Sequence, residues 1–140
     1  MLTTSVTAVG ALMHGVIVDT DIAIDFLRGD QSSHDLIAPL WKANHAHLSV
    51  LSIYELYAGM RPKEKDVTDA FIEACIVEPV TPETARTAGE LFRHYRQKGL
   101  TLGSVDCLIL ATAKVKGFRI ATRNTKHYPA ESAILHERKS

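Results

Sequence analysis

The chain has 140 residues, of which 46% are hydrophobic and 23% charged, and its 16 basic and 16 acidic side chains give a formal net charge of zero. A chain of this length and composition can form one domain with a sizeable core. The zero net charge excludes a polybasic tail protein and gives no global attraction to nucleic acid or membrane surfaces, although it leaves room for a local site.

Strand patterns alternate with helix patterns along the chain. In chain order the predicted elements are a strand at 16–18, helices at 22–28 and 33–43, a strand at 46–50, helices at 52–60 and 64–74, a strand at 76–77, helices at 81–98 and 104–117, and a strand at 118–121. No hairpin signal joins the strands, which favours parallel pairing. The sequence therefore predicts an α/β fold of three layers, with a central, mostly parallel sheet of four or five short strands flanked by helices.

Several of these helices carry start signals. Ser33, Ser52 and Ser104 are the predicted cap residues of three of them, and Thr81-Pro82-Glu83 combines a cap, a proline at the first position and an acid in the first turn. The apolar stripe predicted to face the core from the helix at 64–74 consists of Val67, Ala70, Phe71 and Ala74.

Residues 1–12 show no clear periodicity, and the first strand pattern begins just after Met13. We expect residues 1–12 to be a flexible N-terminal extension and residues 13–140 to be the working domain, with Met13 as a possible true start.

The number and spacing of the cysteines indicate whether the protein works in a reducing or an oxidising compartment. Cys75 and Cys107 are too few for a disulfide scaffold and too far apart for a CxxC zinc site. No apolar run reaches the roughly 18 residues of a membrane span, and residues 1–18 lack the basic start of a signal peptide. We therefore expect a cytoplasmic protein with buried, reduced thiols and no membrane contact.

Polar side chains follow the ends of the predicted strands, where the chemistry of an α/β fold collects. Asp19 ends the first strand, and Glu55 lies in the first turn of the helix after the second strand. Asp106 lies in the first turn of the helix that Ser104 begins, and Asn124 follows the last strand. Carboxylates that converge resist ionisation unless a cation compensates, and carboxylate and amide oxygens suit Mg²⁺ or Mn²⁺ better than zinc. The pattern predicts a magnesium-dependent phosphodiester site.

Each of these residues also has a purely structural explanation. Asp19 could cap the next helix, and Ser52 with Glu55 fits a capping box. Asp106 would be favoured by the helix dipole, and Asn124 could be a turn residue. Only their expected convergence at one sheet edge favours the site.

Four segments carry a family resemblance when taken in order. They are VIVDTD (16–21) continuing into DFLRG (25–29), SIYELYAG (52–59), GSVDCLILA (103–111) and ATRNTKHYP (121–129), with 36, 51 and 18 residues between successive acidic or amide positions. Together they resemble the PIN-domain ribonuclease toxins of bacterial toxin–antitoxin modules, the VapC-like family. The resemblance covers about residues 15–130.

The resemblance implies a PIN-like fold and a metal-dependent endoribonuclease. Asp19 and Asp106 would be ligands of Mg²⁺ or Mn²⁺, and Glu55 would bind a second metal or orient the attacking water. Many relatives carry Asp where this chain has Asn124, whose carbonyl can coordinate but adds no charge, so one or two metals stay open. Asp21 stands where relatives often carry Asn, and we treat it as a polar neighbour. The hydroxyls expected beside the metal are those of Ser104, Thr122 and Thr20.

Water activated by the metal would attack the phosphodiester, which predicts 5′-phosphate and 3′-hydroxyl ends. Arg123 and Lys126 flank Asn124 and are the predicted RNA contacts, with tRNA or rRNA as possible substrates. Tyr128 could stack on a base, but packing is the simpler explanation. The other basic clusters fit solvated helix faces; they are Arg93, Arg96 and Lys98, and Lys114 and Lys116.

The resemblance also implies two protein partners: a VapB-like antitoxin that blocks the acidic cleft, and a second copy of the chain in a homodimer. The amphipathic helices at 22–28 and 64–74 could form such surfaces.

Other functions fit parts of the sequence. Asp19-Thr20-Asp21 also matches the DxD of haloacid-dehalogenase-type phosphatases, but the chain lacks their late Asp-Asp pair. A PIN-like module that binds RNA or protein without cutting, with metal binding weakened by Asn124, is the second alternative. His45 and His47 could mimic a metal pair, although no third ligand lies nearby in sequence.

Overall fold

A computed structural model of the protein describes residues 15–123, Tyr128 and the strand at 134–135. The elements in chain order are β1 (Val16–Val18), α1 (Thr20–Leu27), α2 (Gln31–Lys42), β2 (Ala46–Ser49), α3 (Val50–Gly59), a 3₁₀ turn (Pro62–Glu64), α4 (Lys65–Ala74), β3 (Ile76–Glu78), α5 (Pro82–Gln97), α6 (Ser104–Lys116), β4 (Arg119–Ala121) and β5 (Ile134–Leu135). The extension predicted at residues 1–12 lies outside the described residues, as does Met13.

The strands form one sheet in the order β3-β2-β1-β4-β5. All four pairings are parallel, and Val16 of β1 stands opposite Ala46 of β2 and Arg119 of β4. The predicted parallel α/β architecture is confirmed. Since parallel strands point the same way, β1, β2 and β4 end at one edge of the sheet, and β1 ends between its two neighbours. β5 has only two residues, too few for a periodic pattern, and was therefore not predicted.

Side chains of β1 alternate between two cores, one on each face of the sheet. Val16 and Val18 belong to the core under α1–α4, and Ile17 belongs to the core under α5 and α6. The first core includes Ile22, Ile37, Leu40, Leu48 and Phe71, and the second includes Ala88, Leu91, Tyr95, Ile109 and Ile120. Helices therefore cover both faces of the central strand, which makes the three layers.

Both cysteines are free and buried, as expected from the sequence. Burial raises the pKa of the Cys75 and Cys107 thiols, which keeps them protonated and poorly reactive. No helix in the part of the chain that the structure describes is both long and apolar enough to cross a membrane.

Two helices begin earlier than their predicted serine caps. Asp30 caps α2, and its carboxylate accepts the N–H of Ser33 at 2.9 Å. Ser49 caps α3, and its hydroxyl accepts an N–H of the first turn at 3.0 Å. Ser52 is therefore fully buried inside α3, and the predicted capping box between Ser52 and Glu55 is wrong. The β-branched and apolar residues around Ser49 fit a strand as well as a helix, so no sharp boundary is visible in the sequence.

The buried face of α4 is shifted from the predicted stripe. Phe71 is buried as expected, but Thr68 and the partly buried Ile72 complete the face, while Val67 is 55% exposed. The chain enters α4 directly from the 3₁₀ turn, and the conformation of this turn leaves no periodic signal in the sequence.

Thr81→Ala is expected to destabilise the protein by about 1 kcal/mol. The Thr81 hydroxyl accepts the N–H of Thr84 at 3.1 Å at the start of α5, and alanine cannot replace this bond. The free energy of unfolding in urea measures the loss. Thr101→Ala, an exposed loop change, is the control, and an equal loss in both variants would contradict the capping role.

Candidate active site

The ends of the central strands open into a cleft of about 550 Å³. The residues that line it are Asp19, Thr20, Asp21 and Ile24 from the start of α1, Tyr54, Glu55, Ala58 and Gly59 from α3, and Asp106 from α6. The structure thus brings Asp19, Glu55 and Asp106 together, as the sequence predicted. Asn124 lies outside the described residues.

Asp19 is held at the bottom of this cleft. It is 5% exposed and caps α1 in an extended backbone conformation directly after β1. Its Oδ1 accepts the N–H of Thr20 at 2.9 Å, and its Oδ2 accepts the hydroxyl of Thr122 at 2.7 Å. The predicted neighbour Thr122 therefore contacts the predicted ligand directly, across the β1–β4 pairing.

The environment of Asp19 disfavours its negative charge. Burial raises the pKa of Asp19 to about 6, the carboxylates of Asp21 and Asp106 act in the same direction, and the bonds from Thr122 and Thr20 oppose them. Burial also raises the pKa of Asp21. A cation in the cleft would offset this crowding of negative charge.

A hydroxyl network joins α1 to α3 beside Glu55. Thr20 Oγ1 donates to Glu55 Oε1 at 2.6 Å and lies 2.9 Å from the buried Ser52 Oγ. Thr20 therefore orients the Glu55 carboxylate, in keeping with its predicted place beside the metal ligands. The sequence analysis missed Ser52 as a site residue because it assigned this serine to a helix cap.

Asp106 is half-buried in the first turn of α6, as predicted. Gly103, rather than Ser104, is the N-cap of this helix. Ser104 is exposed and does not line the cleft, so its predicted place beside a metal stays a prediction.

Arg123 is engaged within the protein. Its Nε lies 2.7 Å from Asp25 Oδ2 and its Nη2 lies 2.6 Å from Asp30 Oδ2. Nη2 also lies 2.9 Å from Ser32 Oγ and 2.7 Å from Ser33 Oγ, so its two N–H groups are shared among three acceptors. This clamp joins the end of β4 to the corner between α1 and α2. The RNA contact predicted for Arg123 stays a prediction beside this internal role.

Other predicted candidates have structural explanations or lie outside the described chain. Tyr128 is 3% exposed, in agreement with packing, and burial together with the charges of Asp19 and Asp106 raises its pKa. His47 Nδ1 lies 2.7 Å from Glu78 Oε2, which gives this histidine a carboxylate partner in place of a metal. Lys126 lies among the residues that the structure leaves undescribed.

The oxygen donors of the cleft fit a hard divalent cation. Within residues 15–123 and Tyr128, no three His, Cys, Asp or Glu side chains form a group that could hold a metal ion. Mg²⁺ commonly takes only one or two carboxylates and completes its shell with waters and substrate phosphates. Asp19 and Asp106 supply two such carboxylates. A bound cation would also offset the negative charge of Asp19, which burial disfavours.

Known proteins resemble this chain in sequence and in fold. Residues 16–131 match the PIN domain family. The chain is 38% identical over 114 residues to Ribonuclease VapC19 of Mycobacterium tuberculosis, across 81% of this chain and 91% of that protein. It is 36% identical over 114 residues to Ribonuclease VapC10 of the same species, across 81% and 86%. Its fold is similar to the crystal structure of VapBC2 from Rickettsia felis bound to a promoter DNA fragment, with a TM-score of 0.77, 22% identity and coverage of 87% and 96%.

Proposed function

The chain belongs to the PIN domain family, and we propose that it is a VapC-like endoribonuclease toxin that uses Mg²⁺ or Mn²⁺ to cut RNA phosphodiesters. The observation that carries the proposal is that Asp19, Glu55 and Asp106 line the same cleft. The ribonuclease names of the two relatives from Mycobacterium tuberculosis support the activity.

In the proposed hydrolysis, the residues of the cleft have different roles. Asp19 and Asp106 would hold the cation, and Glu55 would hold a second cation or orient the attacking water. When bound, the cation lowers the pKa of a water and offsets charge on the phosphate. The Thr122 hydroxyl fixes the Asp19 carboxylate, and the Thr20 hydroxyl fixes that of Glu55.

Attack by water on phosphorus breaks the P–O3′ bond. The phosphate then stays on the 5′ end of the downstream fragment, and the departing 3′ oxygen takes up a proton to become a hydroxyl. This outcome differs from attack by the neighbouring ribose 2′-hydroxyl, which leaves a 2′,3′-cyclic phosphate.

The proposal extends to the partners and the compartment. We expect a VapB-like antitoxin to cover the acidic cleft, a second copy of the chain to form a homodimer, and the substrate to be tRNA or rRNA in the cytoplasm. Solved complexes of similar fold, such as the toxin–antitoxin complex from Klebsiella pneumoniae with a TM-score of 0.74, support the antitoxin.

The two alternative functions, a phosphatase and a module that only binds, are not equally supported. The PIN domain match over residues 16–131 argues against a haloacid-dehalogenase-type phosphatase. A module that binds RNA or protein without cutting differs from the proposed enzyme only in activity, so the activity assay decides between them.

Total tRNA incubated with the purified, antitoxin-free protein is expected to be cut with Mg²⁺ or Mn²⁺ and to stay intact with EDTA. Asp106→Ala should abolish the cleavage. Asp66→Ala, which removes an exposed acid from the first turn of α4, is the matched control and should leave it unchanged. Mapping of the ends should find 5′-phosphates. Cyclic phosphates would overturn the mechanism, and intact RNA with every metal would favour the binding module.

A further inference from the structure

An exposed aromatic side chain lies in the cleft and takes no part in the chemistry above. Tyr54 precedes Glu55 on α3 and lines the same cleft as Asp19 and Asp106. Its side chain is 68% exposed. Since a large ring gains free energy by leaving water, this position suits a side chain that contacts a ligand.

Tyr57, one turn further along α3, shows the contrast. Its hydroxyl donates to Asp69 of α4, which also pairs with Lys65 at 2.8 Å. Tyr57 is 41% exposed and does not line the cleft. The contact between α3 and α4 therefore accounts for Tyr57, whereas the described residues give Tyr54 no comparable hydrogen bond to a neighbouring helix.

The cleft wall beside Tyr54 has room for a flat group. Ala58 and Gly59 follow it on the same wall, and the partly buried Ile24 contributes from α1. A Cβ added to Gly59 would meet nothing within 4 Å. The ring thus borders open space that is continuous with the carboxylates, and small or apolar side chains line the cleft beside it.

The negative charge of the cleft indicates which part of an RNA the protein itself could contact there. Neither Lys nor Arg occurs among the described residues that line it, so the described part of the cleft wall offers the RNA backbone no positive charge. Stacking on an aromatic ring binds a nucleobase without any charge and tolerates every base. A phosphate placed at the carboxylates by a bound cation would bring an adjacent base to this wall, because each ribose of the RNA backbone lies between two phosphates and carries a base.

We propose that Tyr54 stacks on an unpaired base next to the scissile phosphate and thereby positions single-stranded RNA in the cleft. The proposal rests on the proposed ribonuclease function. It makes the cleft selective for loops and other unpaired segments, since a base within a duplex offers no free face.

Tyr54→Ala is expected to lower kcat/KM for RNA cleavage by about tenfold or more, chiefly through a higher KM. Tyr54→Phe and Tyr54→Trp should retain most of the activity, because they keep a stacking ring. Tyr57→Ala is the matched control on the same helix and should leave KM unchanged. Thermal unfolding of each variant verifies that it is folded.

A substrate with a single missing base tests the contact directly. A short RNA that spans the cut mapped in tRNA is made with an abasic nucleotide at each position around the cut. One abasic position should lower kcat/KM for the unsubstituted protein by the factor seen with Tyr54→Ala, and the two changes together should cause no further loss. Losses that multiply at every position would overturn the proposal.

The failure of this proposal is distinguishable from failure of the ribonuclease function. If the unsubstituted protein cuts RNA and Tyr54→Ala cuts it equally well, only the stacking role is overturned. If Tyr54→Ala cuts normally but loses a co-expressed antitoxin, the ring serves a protein partner and the stacking role is again overturned. If no RNA is cut, anisotropy of a fluorescein-labelled uridine dodecamer still decides, because equal affinity for both proteins overturns the contact and weaker binding by Tyr54→Ala supports it.

Discussion

Asp19→Asn is expected to abolish RNA cleavage and, at the same time, to stabilise the metal-free protein. The activity should fall about 100-fold or more, because in the proposed mechanism asparagine removes a negative charge that would hold the cation. The stability should rise, because the same charge is buried beside Asp21 and Asp106. The substitution therefore separates what the site needs for chemistry from what the fold needs for stability.

The size of the stabilisation follows from the pKa of Asp19. A rise from 3.8 to about 6 on folding corresponds to about 3 kcal/mol of destabilisation when the carboxyl group is ionised. Asparagine keeps the shape but loses part of the hydrogen bonding to Thr20 and Thr122, at a cost of about 1 kcal/mol. A net gain of about 1 to 2 kcal/mol above pH 7 is the expected result in urea unfolding with EDTA.

The pH dependence has a definite sign. Because the folded pKa is raised, the contribution of Asp19 to stability is fully present below pH 3.8 and is lost as the pH rises through about 6. The advantage of Asp19→Asn should therefore be largest above pH 6 and should disappear towards pH 4. Added Mg²⁺ should stabilise the unsubstituted protein more than the variant. Glu73→Gln, on the exposed surface of α4, is the control, and an Asp19→Asn variant less stable than the unsubstituted protein at every pH would contradict the argument.

Arg123→Lys is expected to destabilise the protein and to impair cleavage nearly as much as Arg123→Met. The guanidinium reaches Asp25 with Nε and Asp30 with Nη2, and the single ammonium of lysine cannot reproduce this fork. Hydrogen bonds from Ser32 and Ser33, and then the charge of Arg123, hold the pKa of Asp30 at about 2. The partner carboxylate is therefore ionised throughout the working pH range.

Both variants are expected to unfold at a lower urea concentration than the unsubstituted protein, because the contacts of the guanidinium with Asp25 and Asp30 are lost. A loss of activity of up to about 100-fold should accompany this destabilisation, because the backbone N–H of Arg123 bonds to Asp21 at 3.2 Å and its neighbour Thr122 orients Asp19. Urea unfolding and single-turnover cleavage measure the two effects. Arg93→Lys on the exposed face of α5 is the control. If Arg123→Lys kept normal stability and activity, a charge contact with RNA would explain this residue better than the clamp.

The sequence predicted the parts of the site that depend on topology. Asp19 and Asp106 could be placed because strand ends and helix starts meet at one edge of a parallel sheet. The contacts among side chains were not predictable in this way. The bond from Thr20 to Glu55 depends on how α1 packs against α3, and the clamp of Arg123 depends on where α2 begins.

The boundaries of short strands and helices could not be predicted from the sequence either. Residues 49–53 carry a β-branched and apolar pattern that suits a strand or a helix, and the pairing of β2 in the sheet decides that the strand stops at Ser49. That boundary moved Ser52 from a helix cap into the core beside the site, a change that no local pattern shows.

The hydrogen bond from the Thr122 hydroxyl to the Asp19 carboxylate joins residues 103 positions apart in the chain. During synthesis the N-terminal segment leaves the ribosome first, and β1 then has neither β4 beside it nor the α6 carboxylate opposite it. The hydrogen bond that orients Asp19 can form only after residue 122 has emerged. A nascent chain that stops short of residue 122 therefore lacks both β4 and the hydroxyl that orients Asp19.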